Sequence, residues 1–141
     1  MTILPSGGGR PFLGGRAHVK VEAGAADFSV FEQQSPPGLS VPLHVHDHYD
    51  EAFYVLDGEM LFVVGDTTGI AEAGAFVFVR RGEAHRFWNG SQAPTRMLAI
   101  GSPHVQALVE ELEPLIRSTP PDATAINAAF AKHHSRVLMT G

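Results

Sequence analysis

An all-β fold, a sandwich or barrel of short strands, is what this sequence predicts, and three observations predict it. Fifteen Gly and ten Pro in 141 residues are more than a helical bundle tolerates. Between residues 17 and 101, apolar or alternating runs of roughly four to eight residues recur, each closed by Gly, Pro, Asp or Asn. After Gly101 the apolar spacing lengthens toward about 3.6, which confines helix to the C-terminal part of the chain.

Taken in order, residues 1–16 hold five glycines and show no apolar period, so they predict a flexible arm. Nine candidate strands follow at 18–22, 28–34, 43–46, 52–56, 60–64, 69–72, 75–79, 85–89 and 95–100. Asp57-Gly58 between two of these runs predicts a two-residue hairpin, because its turn needs the positive φ that Asp and Gly tolerate. Beyond Gly101, Ser102 can cap a helix and Pro103 suits its first position, with Val105, Leu108, Val109 and Leu112 on one face. Pro114 is expected to end or kink that helix. A second, weaker helix is expected from Asp122 to about His133. The organisation is therefore an arm over 1–16, a β barrel over 17–101 and a helical extension over 102–141, the helices covering an open face or a dimer contact.

Composition excludes several function classes. Ten Lys plus Arg against fifteen Asp plus Glu give a formal charge of -5, a surface that repels phosphate backbones and anionic lipid, so neither nucleic acid nor membrane is an expected partner. The segment 103–141 carries three Lys or Arg and four Asp or Glu, which is no DNA-binding appendage. No apolar run approaches the roughly 18 residues of a membrane span, and the N-terminus lacks the apolar core of a signal peptide, so a soluble, cytoplasmic protein is expected. With no Cys, disulfides, thiolate metal sites and Cys nucleophiles all drop out, and any metal must be held by nitrogen and oxygen.

The eight histidines are unevenly placed. Gly38, His44, His46, Glu51 and Gly58 form one pattern, and Gly74, Gly82, His85 and Asn89 a second. On a strand His44 and His46 share a face with Cβ atoms about 7 Å apart, so two imidazoles can converge on one ion. Glu51 opens the next strand as an oxygen ligand, and His85 arrives from a distant strand. Three neutral imidazoles and a carboxylate suit one divalent transition metal, with Fe, Ni or Mn favoured and Zn, Cu or Co admissible, and leave positions open for chemistry. At this chain's residue frequencies the first pattern arises by chance about 3 times in 10,000, and the second multiplies that by about 1 in 10,000.

These stretches, 38–58 and 74–89, resemble the paired motifs of the cupin superfamily, and the fifteen residues between Gly58 and Gly74 are similar to the short spacing of its small microbial members. Pro42-Leu43-His44-Val45-His46, the run from Glu51 to Glu59, and Ser102-Pro103 resemble the single-domain, quercetin dioxygenase-like cupins. The resemblance covers about residues 12–117. It implies a double-stranded β-helix (jelly-roll) barrel, a homodimer, and metal ligation by His44, His46, Glu51 and His85. One position departs: Arg80 stands where the second motif normally has Pro, loosening a turn by about 0.4 to 1 kcal/mol. Arg80 is read as a solvated charge, with pairing to an anionic substrate as the alternative.

Parity from the ligands gives the rest of the site. If Glu51 and His85 point inward, so do Phe53, Val55 and Phe87, leaving Arg86 and Trp88 outside, with Met97 as core filling or pocket lining. His48 and Asp50 fall in the loop between ligands, and Tyr49 either closes the rim or packs. His18, His104, His133 and His134 are expected on the surface. An apolar wall around one ion suits a small apolar or aromatic substrate, flavonol- or phenol-like, better than a sugar. The leading reading is a metal-dependent dioxygenase using O2, with Glu51 as ligand and catalytic base. The alternatives are a non-redox metal-dependent isomerase, cyclase or lyase, and a non-catalytic small-ligand-binding cupin.

Overall fold

Alternation of apolar and polar residues sets which face of each strand is buried, and the architecture follows from it. The protein is described by a computed structural model over residues 2–138. Met1 of the expected arm and 139–141 of the expected extension lie outside the described residues. The elements in chain order are β1 (Arg10–Phe12), a 3-10 turn (Leu13–Gly15), β2 (Ala17–Val21), β3 (Ser29–Ser35), β4 (His44–His46), β5 (Glu51–Asp57) and β6 (Glu59–Val64). Then come β7 (Thr67–Glu72), β8 (Phe76–Val79), β9 (His85–Trp88), β10 (Thr95–Gly101), α1 (Pro103–Arg117), α2 (Ala123–Lys132) and β11 (Ser135–Val137). The nine strands expected from sequence are β2 to β10.

One sheet has the order β1-β2-β3-β10-β5-β8 and the other β11-β4-β9-β6-β7, with every strand pair antiparallel. The fold is the expected all-β double-stranded β-helix with two C-terminal helices. The expectation of a closed barrel needs correction: no strand pairing joins the two sheets among the described residues, and consecutive β7 and β8 end as edges of different sheets. Asp57-Gly58 is corrected with it. β5 pairs with β10 and β8 while β6 pairs with β7 and β9, so the dipeptide carries the chain from one sheet to the other instead of closing a hairpin. Gly58 is nonetheless required there, with φ of 82° and a Cβ that would meet Pro94 O at 2.9 Å.

The core lies between the sheets. Phe53, Phe62 and Phe87 pack with ring centroids 5.3 to 5.4 Å apart, beside fully buried Val55, Met60 and Met97. Each such side chain contributes about 1.5–3 kcal/mol by leaving water. Along β5 the inward set is Glu51, Phe53 and Val55, and Tyr54 is exposed, as parity required. A one-residue slip would turn that whole set outward.

Two strands escape sequence reading. Arg10–Phe12 pairs with β2, and Ser135–Val137 pairs with β4, although neither shows a run long enough to signal a strand. The helices start as expected: Ser102 Oγ accepts from His104 N, Pro103 occupies the first turn, and Asp122 accepts from Ala125 N. Helix α1 does not stop at Pro114 but runs three residues further, accepting the loss of the bond that a backbone N–H at this position would donate to the carbonyl of Glu110. Leu108 of α1 packs with Ala129 and Phe130 of α2, holding the two helices together. No helix of the described residues is long and apolar enough to cross a membrane.

Candidate metal centre

Strand β4 presents three consecutive buried residues, His44, Val45 and His46, and its pairing places His44 directly across from His85 on β9. Glu51 comes from the opposite sheet, as the first residue of β5 paired with Gly101, where a side chain would crowd its backbone. Gly82, with φ of 80°, donates its N–H to His46 O at 2.7 Å and so binds the approach to β9 against β4. Asn89 closes the second motif structurally, its amide donating to Ser35 O and Ala93 O and its carbonyl accepting from Ser91.

One ligand atom from each of His44, His46, Glu51 and His85 falls in a group whose members all lie within 4.8 Å of one another, and all four side chains are buried. The structure therefore brings together the four residues that the spacing singled out. The other ring nitrogens are occupied: His44 Nδ1 lies 2.7 Å from Pro42 O, His85 Nδ1 3.0 Å from Glu83 O and His46 Nδ1 2.6 Å from Ser135 Oγ. A carbonyl only accepts, so His44 and His85 carry the proton on Nδ1 and turn the Nε2 lone pair inward when neutral. Glu51 Oε2 sits 3.1 Å from His46 Nε2 and 3.2 Å from His85 Nε2. Yet neither Glu51 Oε2 nor His85 Nε2 makes a hydrogen bond of proper alignment. Buried polar atoms without partners are rare, and these are spaced like neighbours around a shared centre. The donor set fits a divalent transition metal.

Electrostatics agree. Burial, then the neighbouring His85 and His46, push the His44 pKa down to about 3, which keeps a neutral imidazole available. Burial alone would raise Glu51, but the adjoining His46 and His85 outweigh it and hold the carboxyl well below its usual range. Burial works against a charged His85, and the Glu51 carboxylate overcomes it and raises the ring. A cation bound here would meet the same carboxylate and compete with protonation of His85.

The other expected site residues are placed as follows. Phe53, Val55, Phe87 and Met97 are buried in the core, and Phe53 and Phe87 touch Phe62. Phe62 is also a wall of an open groove of about 460 Å³ between β7 and β8, lined besides by Val64, Ile70, Phe76, Phe78 and Glu83. Arg86 and Trp88 face outward, with the guanidinium 4.6 Å over the indole. Arg80 is exposed, while Arg81 pairs with Asp50. His48 is exposed and stacks on His134.

Sequence reasoning missed part of the cover of the site. Phe130 of α2, which no spacing singled out, lies 5.7 Å from the His44 ring, while Tyr49, expected to close the rim or pack, stacks on His46 at 4.9 Å. The expectation that His133 lies on the surface is corrected. It is buried, its Nδ1 is 2.9 Å from His104 Nδ1, and its Nε2 is 3.2 Å from Glu111 Oε2. Helix packing brings these groups together, and no local spacing reports it.

Comparison with known proteins completes the picture. The Cupin domain family matches residues 31–101. An oxalate-binding protein of Thermotoga maritima is 35% identical over 65 residues, 46% of this chain and 54% of that one. The polyketide cyclase RemF of Streptomyces resistomycificus superposes with a TM-score of 0.55 at 30% identity, covering 62% of this chain and 63% of its own. A putative sugar phosphate isomerase of Acidithiobacillus ferrooxidans gives 0.52 at 26% identity, over 56% of this chain and 52% of that one. In each case less than two thirds of the relative's length is spanned. With the family matched over half of its length and the two motifs converging on one buried histidine and glutamate centre, the chain belongs to the cupin domain family.

Proposed function

We propose that this protein is a metal-dependent enzyme acting on a small, apolar or aromatic molecule. The observation that carries the substrate class is the aromatic border of the histidine and glutamate centre, where Phe130 and Tyr49 lie against His44 and His46. A sugar would call for several hydrogen-bonding side chains around the centre. An aromatic substrate needs only an apolar wall and the centre itself. Phe53, Val55, Phe87 and Met97 are proposed as that wall.

A bound divalent ion would supply Lewis acidity and open coordination positions. His44, His46, Glu51 and His85 would hold it, and Glu51, whose carboxyl stays ionised, would accept a proton from the substrate when it is not ligating. Burial of the site excludes water from reactive species. Two reaction classes fit. Dioxygenation with O2 is supported by the resemblance of the motif text to quercetin dioxygenase-like cupins. A non-redox cyclisation is supported by the likeness to the polyketide cyclase RemF, and an isomerisation by the likeness to the putative sugar phosphate isomerase. A homodimer belongs to the same proposal.

The test is elemental analysis of protein purified without a metal-affinity column, together with oxygen-electrode assays on a flavonol and phenol panel. Bound Fe, Ni or Mn with substrate-dependent oxygen uptake supports the dioxygenase. Bound Zn with conversion but no uptake supports the cyclase or isomerase. Wild-type protein empty of metal, and unchanged in His46→Ala, overturns both.

A further inference from the structure

We propose that Ser135, from the C-terminal strand outside the segment matched to the family, is a positioning residue for the metal ligand His46. The inference rests on the reading of His44, His46, Glu51 and His85 as a metal centre. It adds a part of that centre which neither motif contains.

Strand β11 pairs with β4 in the register that sets Ser135 opposite His46, and Ser135 Oγ approaches His46 Nδ1 to 2.6 Å in a buried setting. The direction of that bond follows from the groups behind it. Tyr49 Oη donates to His133 O at 2.7 Å, and Ser135 Oγ lies 2.9 Å from both His133 O and Tyr49 Oη. The carbonyl of His133 only accepts, so the Tyr49 hydroxyl that contacts it carries its proton. Two hydroxyl protons are thus used within the group formed by Tyr49, Ser135 and the His133 carbonyl. The face of Ser135 Oγ toward His46 is then an acceptor, so His46 carries its proton on Nδ1 and keeps Nε2 free. His44 and His85 reach the same tautomer through backbone carbonyls two residues away, Pro42 and Glu83. Among the three histidines, His46 is oriented by a side chain from a remote part of the chain, 89 positions on. Asp47 pairs with Arg136 beside this contact.

An acceptor on the far nitrogen fixes ring orientation and raises basicity, and losing one typically weakens metal binding about 10–100-fold. The deciding experiment is calorimetric titration of metal-free protein with Zn(II), with Co(II) absorption as a record of ligand geometry. Nitrogen-15 NMR of the histidine rings in the metal-free protein reports the tautomer directly. Ser135→Ala should bind Zn(II) about 10–100-fold more weakly, alter the Co(II) bands and lose the Nδ1–H form of His46. Ser135→Thr, which keeps the hydroxyl, should stay near wild type. Tyr49→Phe should weaken binding by less than Ser135→Ala, and it decides the matter if Ser135→Ala does not fold. Wild-type protein that binds no metal overturns the reading of the centre and this inference with it. Wild-type protein that binds normally, with Ser135→Ala equal in affinity, Co(II) bands and tautomer, overturns the positioning role alone.

Discussion

The two sheets meet along two unlike margins. At one, β4 and β9 face the start of β5, and four ionisable side chains are buried under Tyr49, Phe130 and β11, the three histidines each held by a directional contact at Nδ1. At the other, β7 and β8 leave their edges unpaired around an apolar groove, with Ile70, Phe76 and Phe78 exposed. The contrast teaches which part of the molecule is under strict geometric demand. Burying imidazoles and a carboxylate is costly unless every lone pair has a partner, so each atom at the first margin has a defined place. Apolar contacts at the second are non-directional and tolerate change.

The sharpest way to break the comparison is to remove a ligand. His46→Ala should reduce bound metal to near zero, a larger effect than the roughly 10–100-fold loss that follows removal of an outer partner, as elemental analysis and Zn(II) titration would show. Metal retention at the wild-type level would mean that the first margin is not a centre at all.

Next in size are the aromatics. Phe53→Ala, at 1% exposure between both margins, should lower unfolding free energy by about 3–5 kcal/mol in denaturant titration. Phe76→Ala, at 61% exposure beside the groove, should change it by no more than about 0.5 kcal/mol. Equal losses would show that the groove is as tightly packed as the core.

Acidification should act on the first margin more than on the second. His44 in the folded protein sits at about 3, below its usual 6.5, so an unfolded chain gains a proton there that the folded one refuses. That contribution is complete above 6.5 and is lost as pH falls from 6.5 toward 3, at up to about 1.4 kcal/mol per pH unit. Glu51 is depressed below 4.5, so its contribution is likewise lost as pH falls below 4.5. His85 is raised, so its contribution is already complete below 6.5 and does not oppose the loss. The melting temperature of metal-free protein should therefore fall between pH 6.5 and 3, and a flat profile through that window contradicts the assignment. Metal affinity should fall in the same direction, because the proton on His85 competes with the cation.

The smallest effect is expected at the surface. Asp47→Asn breaks an exposed pair with Arg136 and should leave the melting temperature of metal-free protein unchanged. A clear drop would mean that β11 depends on that pair for its place, which would join the two margins in one cooperative unit.

Much of this was legible before any fold was known. The period-two runs marked β2 to β10, because a half-buried strand must alternate, and parity from Glu51 and His85 placed Phe53, Val55 and Phe87 inside. The spacing of His44, His46, Glu51 and His85 named the four residues that converge. Other signals misled for definite reasons. Asp57-Gly58 has the backbone freedom of a hairpin, but whether its flanking strands pair depends on partners elsewhere in the chain. The burial of His133 depends on how α1 and α2 meet, and that contact lies outside any local window.

By itself the sequence determined strands β2 to β10, the inward faces and the identity of the four side chains that converge, because alternation and residue chemistry are local properties. Tertiary structure alone decided that β4 lies against β9, that the two sheets stay open at β7 and β8, and that Ser135 meets His46 from 89 positions away. Those contacts join residues remote in the chain, and they form because burying a polar centre requires partners that no neighbouring residue supplies.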